Sequence, residues 1–152
     1  MAKKEFVKLT PDGLNLVTVL DYSSMSELNT FSGKEVFFTD GFEGNVSVLF
    51  QAIGNLGAFA RSSDFGKDIS VAVISNKMID NFFEGNKHSF LDELEKKLNQ
   101  NNSPYRRIKF ISEDQLIWYL ENRAKLSSST QMEGLLKVYK DSKKNKEEAL
   151  FE

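Results

Sequence analysis

Ile69-Ser70-Val71-Ala72-Val73-Ile74 is apolar at all but one position. A strand with one wet face alternates apolar and polar residues. A strand buried on both faces does not, and such strands belong to parallel sheets covered by helices. The segment therefore predicts a central parallel strand, and the rest of the chain must supply helices for both of its faces.

The neighbouring segments supply them. Glu35-Val36-Phe37-Phe38-Thr39 reads as a short buried strand. From Val46 to Leu56 the apolar positions 46, 49, 50, 53 and 56 follow helical spacing. Gly57 stands where a C-terminal cap belongs. Ala58 to Arg61 is a further short strand. Residues 75–87 read as a loop with an apolar island at Met78, Ile79, Phe82 and Phe83. A helix is expected from Ser89 to Leu98, a break at Asn99–Pro104, and a strand over Arg107–Ile111. Ser112-Glu113-Asp114-Gln115 fits a capping box, which opens a helix carrying Leu116, Ile117, Tyr119 and Leu120. The order from Lys34 is β-α-β-β-α-β-α. This alternation predicts an α/β fold in three layers: a four-stranded parallel sheet flanked by helices.

Two additions flank this body. Glu5–Leu9, a Thr10-Pro11-Asp12-Gly13 turn and Leu14–Leu20 read as an N-terminal β-hairpin. Met132, Leu135, Leu136 and Tyr139 mark a C-terminal amphipathic helix. The expected division is 1–30 for hairpin and connector, 31–126 for the α/β domain, and 127–152 for helix and solvated tail.

Composition narrows the function. The 152 residues include no Cys and one His, His88, which excludes disulfides, thiolate metal sites and paired imidazoles. Lys and Arg number 20 against 22 acids, so a general nucleic-acid coat protein is not expected. No apolar run approaches the ~20 residues of a membrane span. The expected location is cytoplasmic, with no membrane contact and no cofactor or metal.

Four pieces of this sequence resemble a BRCT domain, closest in pattern to the type found in bacterial DNA ligases. They are Phe31–Thr39, Ala52–Ala58, Ile69–Ile74 and Ile108–Leu116, and the likeness covers roughly 31–123. It implies a non-catalytic interaction module linked to DNA repair or replication, whose partner is a protein or a DNA end. Members that bind phosphate use a hydroxyl, a backbone N–H and a Lys, which fall by resemblance on Thr39, Gly41 and Lys87. This chain places Asp40 between the first two, and a carboxylate there repels a dianion.

Other candidates come from the residues alone. Tyr105, Arg106, Arg107 and Lys109 form the densest basic patch of the body, suited to nucleic acid or another partner. Arg107 and Lys109 would share one face of a strand. A solvated strand edge guarded by charge is the alternative. His88 stands as a lone base or a surface residue. Asp40, Glu43, Asp64 and Asp68 offer carboxylates for a small metal-dependent enzyme, should they converge. A homodimer through the hairpin or the C-terminal helix is the third alternative.

Overall fold

A computed structural model describes residues 5–10, 13–18, 32–86, 88–127 and 129–150; for the hairpin strands and residues 83, 106, 107, 109, 126, 127 and 145–150 it describes the backbone alone. Phe31, Lys87, the tip of the hairpin turn and most of the connector lie outside the described residues.

The strands are β1 (Glu5–Thr10), β2 (Gly13–Thr18), β3 (Glu35–Phe38), β4 (Phe59–Arg61), β5 (Val71–Ile74) and β6 (Lys109–Ser112). The helices are α1 (Val46–Gly54), α2 (Asn76–Phe83), α3 (Ser89–Leu98), α4 (Glu113–Ser127) and α5 (Thr130–Leu150). β1 and β2 form an antiparallel hairpin, with Glu5 opposite Thr18, and β1 lies beside β6 and α3. The main sheet is four-stranded, parallel throughout, in the order β4-β3-β5-β6.

β5 is central, and all four of its residues are buried. Alternate residues of each strand serve opposite faces. Val36, Phe38, Val71, Val73 and Ile111 meet Leu49 and Ile53 of α1, Leu116 and Leu120 of α4, and Met132, Leu136 and Tyr139 of α5. Phe37, Ala72, Ile74 and Phe110 meet Met78 and Ile79 of α2 and Leu91, Leu94 and Leu98 of α3. The fold is thus three layers, with helices on both faces of the parallel sheet. Burying a Leu, Ile or Phe stabilises by about 1.5–3 kcal/mol, so these two clusters dominate the stability.

Local signals set the helix ends. The Asn45 side chain accepts from Ser47 N to open α1. Gly57 takes φ +88° after α1, and Ala58 N donates to Ile53 O. The Ser112 hydroxyl accepts from Gln115 N at 3.0 Å, as a cap at that position should.

Two sequence expectations are corrected. Residues 76–83 form α2 rather than loop. Ser75 caps it, and Met78 and Ile79 turn inward while Lys77 and Asp80 face out. The strand expected from Arg107 begins at Lys109, because Pro104–Arg107 is a 3₁₀ turn. Pro104 presets φ for the first turn residue, and the Ser103 hydroxyl accepts from Tyr105 N at 3.3 Å. Arg107 and Lys109 therefore do not share a strand face.

Candidate functional site

In chain order, the main sheet's strands run 2-1-3-4 across the sheet, so the order reverses between β3 and β5. Open α/β sheets place ligands at the carboxyl ends of the strands beside such a reversal. Here that corner is made by Thr39-Asp40-Gly41 after β3, Ser75-Asn76-Lys77 after β5, and Glu113-Asp114 after β6.

The corner is densely bonded from within. Ser75 N donates to the Thr39 hydroxyl at 2.9 Å, and that hydroxyl lies 3.3 Å from Asp40 O as donor. The Ser75 hydroxyl donates to Asp40 O at 2.6 Å and accepts from Met78 N at 3.2 Å. One serine thus joins the end of β3 to the start of α2. Gly41 completes the bend at φ +97°, where a Cβ would come within 2.7 Å of the Ser75 hydroxyl oxygen. The Lys77 side chain starts next to that same point, 3.5 Å away.

Beneath this lies a buried carboxylate. Glu113 is only 2% exposed. An isolated charge in such a place costs several kcal/mol unless paired and hydrogen-bonded. Glu113 has three donors. Asn76 N gives to Oε1 at 3.1 Å; the Tyr139 hydroxyl and the Lys143 ammonium give to Oε2 at 2.7 and 3.1 Å. The amide of Asn76 also donates to Asp114 at 2.9 Å. Glu113 and Asp114 occupy the first turn of α4, where the helix dipole favours negative charge.

Tyr139 and Lys143 come from α5. The Tyr139 ring passes so close over Gly44 that a Cβ there would lie 2.5 Å from the ring carbon Cε2. Asn45 N donates to the Ser142 hydroxyl at 2.9 Å, and that hydroxyl donates to Tyr139 O at 2.7 Å. Burial raises the Tyr139 hydroxyl above its ordinary pKa, and the Glu113 carboxylate adds to this by charge and hydrogen bond. Burial pulls Lys143 down, but Glu113, Asp114 and Glu43 outweigh it and the net shift is upward. Both groups therefore keep their protons, and the cluster is a neutralised ion pair.

The remaining sequence candidates fall elsewhere. Lys87 lies outside the described residues. His88 caps α3, its Nδ1 accepting from Phe90 N at 3.0 Å, so that nitrogen is not free to act as a base. Asp68 pairs with Arg61 at 2.7 Å, which holds its carboxyl below the usual range. Ser70 N bonds to Glu35 O, so Asp68 sits at the amino end of the sheet and Asp40 at the carboxyl end. Five strand residues separate those levels, about 16 Å at ~3.3 Å per residue. One cation with metal–oxygen bonds of ~2.0–2.6 Å does not reach both. Among the described residues, no group of three or more acids or imidazoles is arranged to hold a metal.

Tyr105 is half-buried in an aromatic row. Its ring lies 5.8 Å from that of Phe65, which also meets Phe37 and Phe90, and the Lys97 ammonium sits 5.1 Å over it. Arg106 and Lys109 are placed by their backbone on the 3₁₀ turn and on β6, with Arg107 ending the turn.

Ser75, Lys77, Glu113, Tyr139 and Lys143 were not legible as site residues. Ser75 followed by Met78, Ile79 and Phe82 carried a helix signal. Glu113 read as one acid in a capping box; its burial depends on a helix that starts 17 residues later.

These features define a three-layer α/β domain on a parallel sheet, with its C-terminal helix bonded to Glu113 and Asn45 beside the reversal point. No family model matches the chain, and no curated protein or solved structure is significantly similar to it. Among the described residues, no helix is long and apolar enough to cross a membrane.

Proposed function

We propose that the chain is a non-catalytic, BRCT-like interaction module, linked by that likeness to DNA repair or replication, that binds a protein partner or a DNA end. The three-layer arrangement on a four-stranded parallel sheet is the fold that the resemblance implies. The resembling residues also fall on matching elements. Gly33-Lys34 leads into β3, and Ile108–Leu116 spans β6 and the start of α4.

The observation that carries the non-catalytic reading is Tyr139 and Lys143 on Glu113. Beside the corner where α/β enzymes bind ligands, a helix of this chain bonds and neutralises the one buried carboxylate. Thr39, the hydroxyl expected to meet a phosphate, already accepts from Ser75 N. Binding through another surface is the better-supported reading. If a phosphate does reach this corner, Lys77 beside Gly41 is the cation placed to meet it.

A gel-shift series on nicked duplexes, with and without a 5′-phosphate and at rising salt, tests the DNA branch. Retardation at low salt is expected, with no dependence on the 5′-phosphate or on Lys77→Ala. No retardation at low salt removes the DNA branch and leaves the protein partner.

A further inference from the structure

Residues 96–112 contain Lys96, Lys97, Arg106, Arg107 and Lys109 and no acid, within a chain of net charge −2. The fold gathers them. α3 runs back across the sheet, so Lys96 and Lys97 at its C-terminal end lie near the 3₁₀ turn that leads into the amino end of β6. The acids Asp40, Glu113 and Asp114 are at the opposite end of the sheet. Lys96 is exposed and lies 3.8 Å from Asp92, a pair too wet to cancel it. Of the two acids flanking Phe65, Asp68 is bound by Arg61, and Asp64 is exposed.

We infer that this basic end grips the phosphodiester backbone of duplex DNA and reads neither stacked bases nor a terminal phosphate. The inference rests on the DNA branch of the proposed function and names its surface and ligand chemistry. Stacking needs an open aromatic face, and the Tyr105 ring is taken up by Phe65 and Lys97. Protein interfaces and membrane insertion both use apolar anchors. Among the residues whose side chains are described, the large hydrophobics found exposed are Phe59, on the opposite edge strand β4, and Val138 on α5. This end places five basic residues, by their backbone, on three successive elements, a composition that suits a polyanion.

Fluorescence anisotropy with a labelled blunt duplex, the matching single strand and polyglutamate as competitor tests the inference. Four to five phosphate contacts at ~0.9 each give a log–log salt slope near −4, roughly 250-fold between 50 and 200 mM. Arg106→Ala/Arg107→Ala/Lys109→Ala is expected to flatten that slope by about 2.7, and Lys77→Ala to leave it unchanged. Should the strand substitution disturb folding, Arg106→Glu/Arg107→Glu in the turn is expected to flatten the slope by about 1.8. If the wild type binds no duplex at low salt, the DNA branch itself fails. If it binds and the triple variant keeps the slope, only this inference is overturned. Tighter binding to single strand, or displacement by polyglutamate at matched charge, overturns it too.

Discussion

Tyr139→Phe removes one oxygen and leaves the ring over Gly44 in place. The lost bond is the 2.7 Å contact to Oε2 of a carboxylate 2% exposed. A hydrogen bond to a charged group is worth about 1.5–3 kcal/mol. Lys143 stays on the same oxygen and Asn76 N on the other, so the lower part of that range applies, about 1.5–2 kcal/mol. For a domain of this size, that is a fall of roughly 3–8 °C in Tm. The pH dependence adds a second readout. Tyr139 has its folded pKa raised above the ordinary 10.0, so the unfolded chain loses that proton first as pH rises. Its contribution is complete below about pH 10 and declines above it. Lys143, raised above 10.5, contributes fully below that value and loses its contribution as pH rises through the folded pKa. Wild-type stability should therefore fall above about pH 10, by up to ~1.4 kcal/mol per pH unit for each proton. Tyr139→Phe should fall less steeply. Urea unfolding followed by circular dichroism between roughly pH 7 and pH 11 measures both effects. An unchanged Tm together with an unchanged alkaline slope would refute the placement of the hydroxyl on Glu113.

Three further substitutions probe the corner and the helix that packs beside it. Gly44→Ala puts a methyl 2.5 Å from the Tyr139 ring, and overpacking of that kind costs about 1–3 kcal/mol in thermal melts; Tyr139→Leu in the same chain should make the added methyl cheaper. Ser75→Ala removes the α2 cap and the bond to Asp40 O, an expected loss of about 1–2 kcal/mol, and hydrogen exchange should show the first turn of α2 opening first. Lys140→Ala breaks an ion pair with Glu121 that is open to solvent, so a loss above about 1 kcal/mol in urea unfolding would contradict its surface character.

The central strand was legible because Ile69–Ile74 is apolar whichever face is considered, and a parallel sheet demands that. The ends of α3 were legible as well, since Leu91, Leu94 and Leu98 keep helical spacing up to the Asn-rich break. α2 was not, because it is only eight residues long and half polar. Its stripe of Met78, Ile79 and Phe82 is as short as a loop's anchor. The start of β6 shifted because the Pro104 turn takes up Arg106 and Arg107, which composition alone reads as strand edge. The candidate site was hidden for another reason. Tyr139 has the spacing of a core residue and Lys143 that of a solvated face, and neither pattern points to a shared carboxylate.

The bond from Asn45 N to Ser142 spans 97 positions. Synthesis proceeds from the amino end, so on the ribosome the sheet can be assembled well before α5 emerges. Until it does, Glu113 lacks two of its three donors and the apolar side of α1 lacks its cover. The nascent domain should pass through a stage that is nearly folded yet sticky, with an uncompensated negative charge at the edge of its core. Slowing translation once α4 has left the ribosome and α5 has not would prolong that stage, and it is where a chaperone would have most to hold.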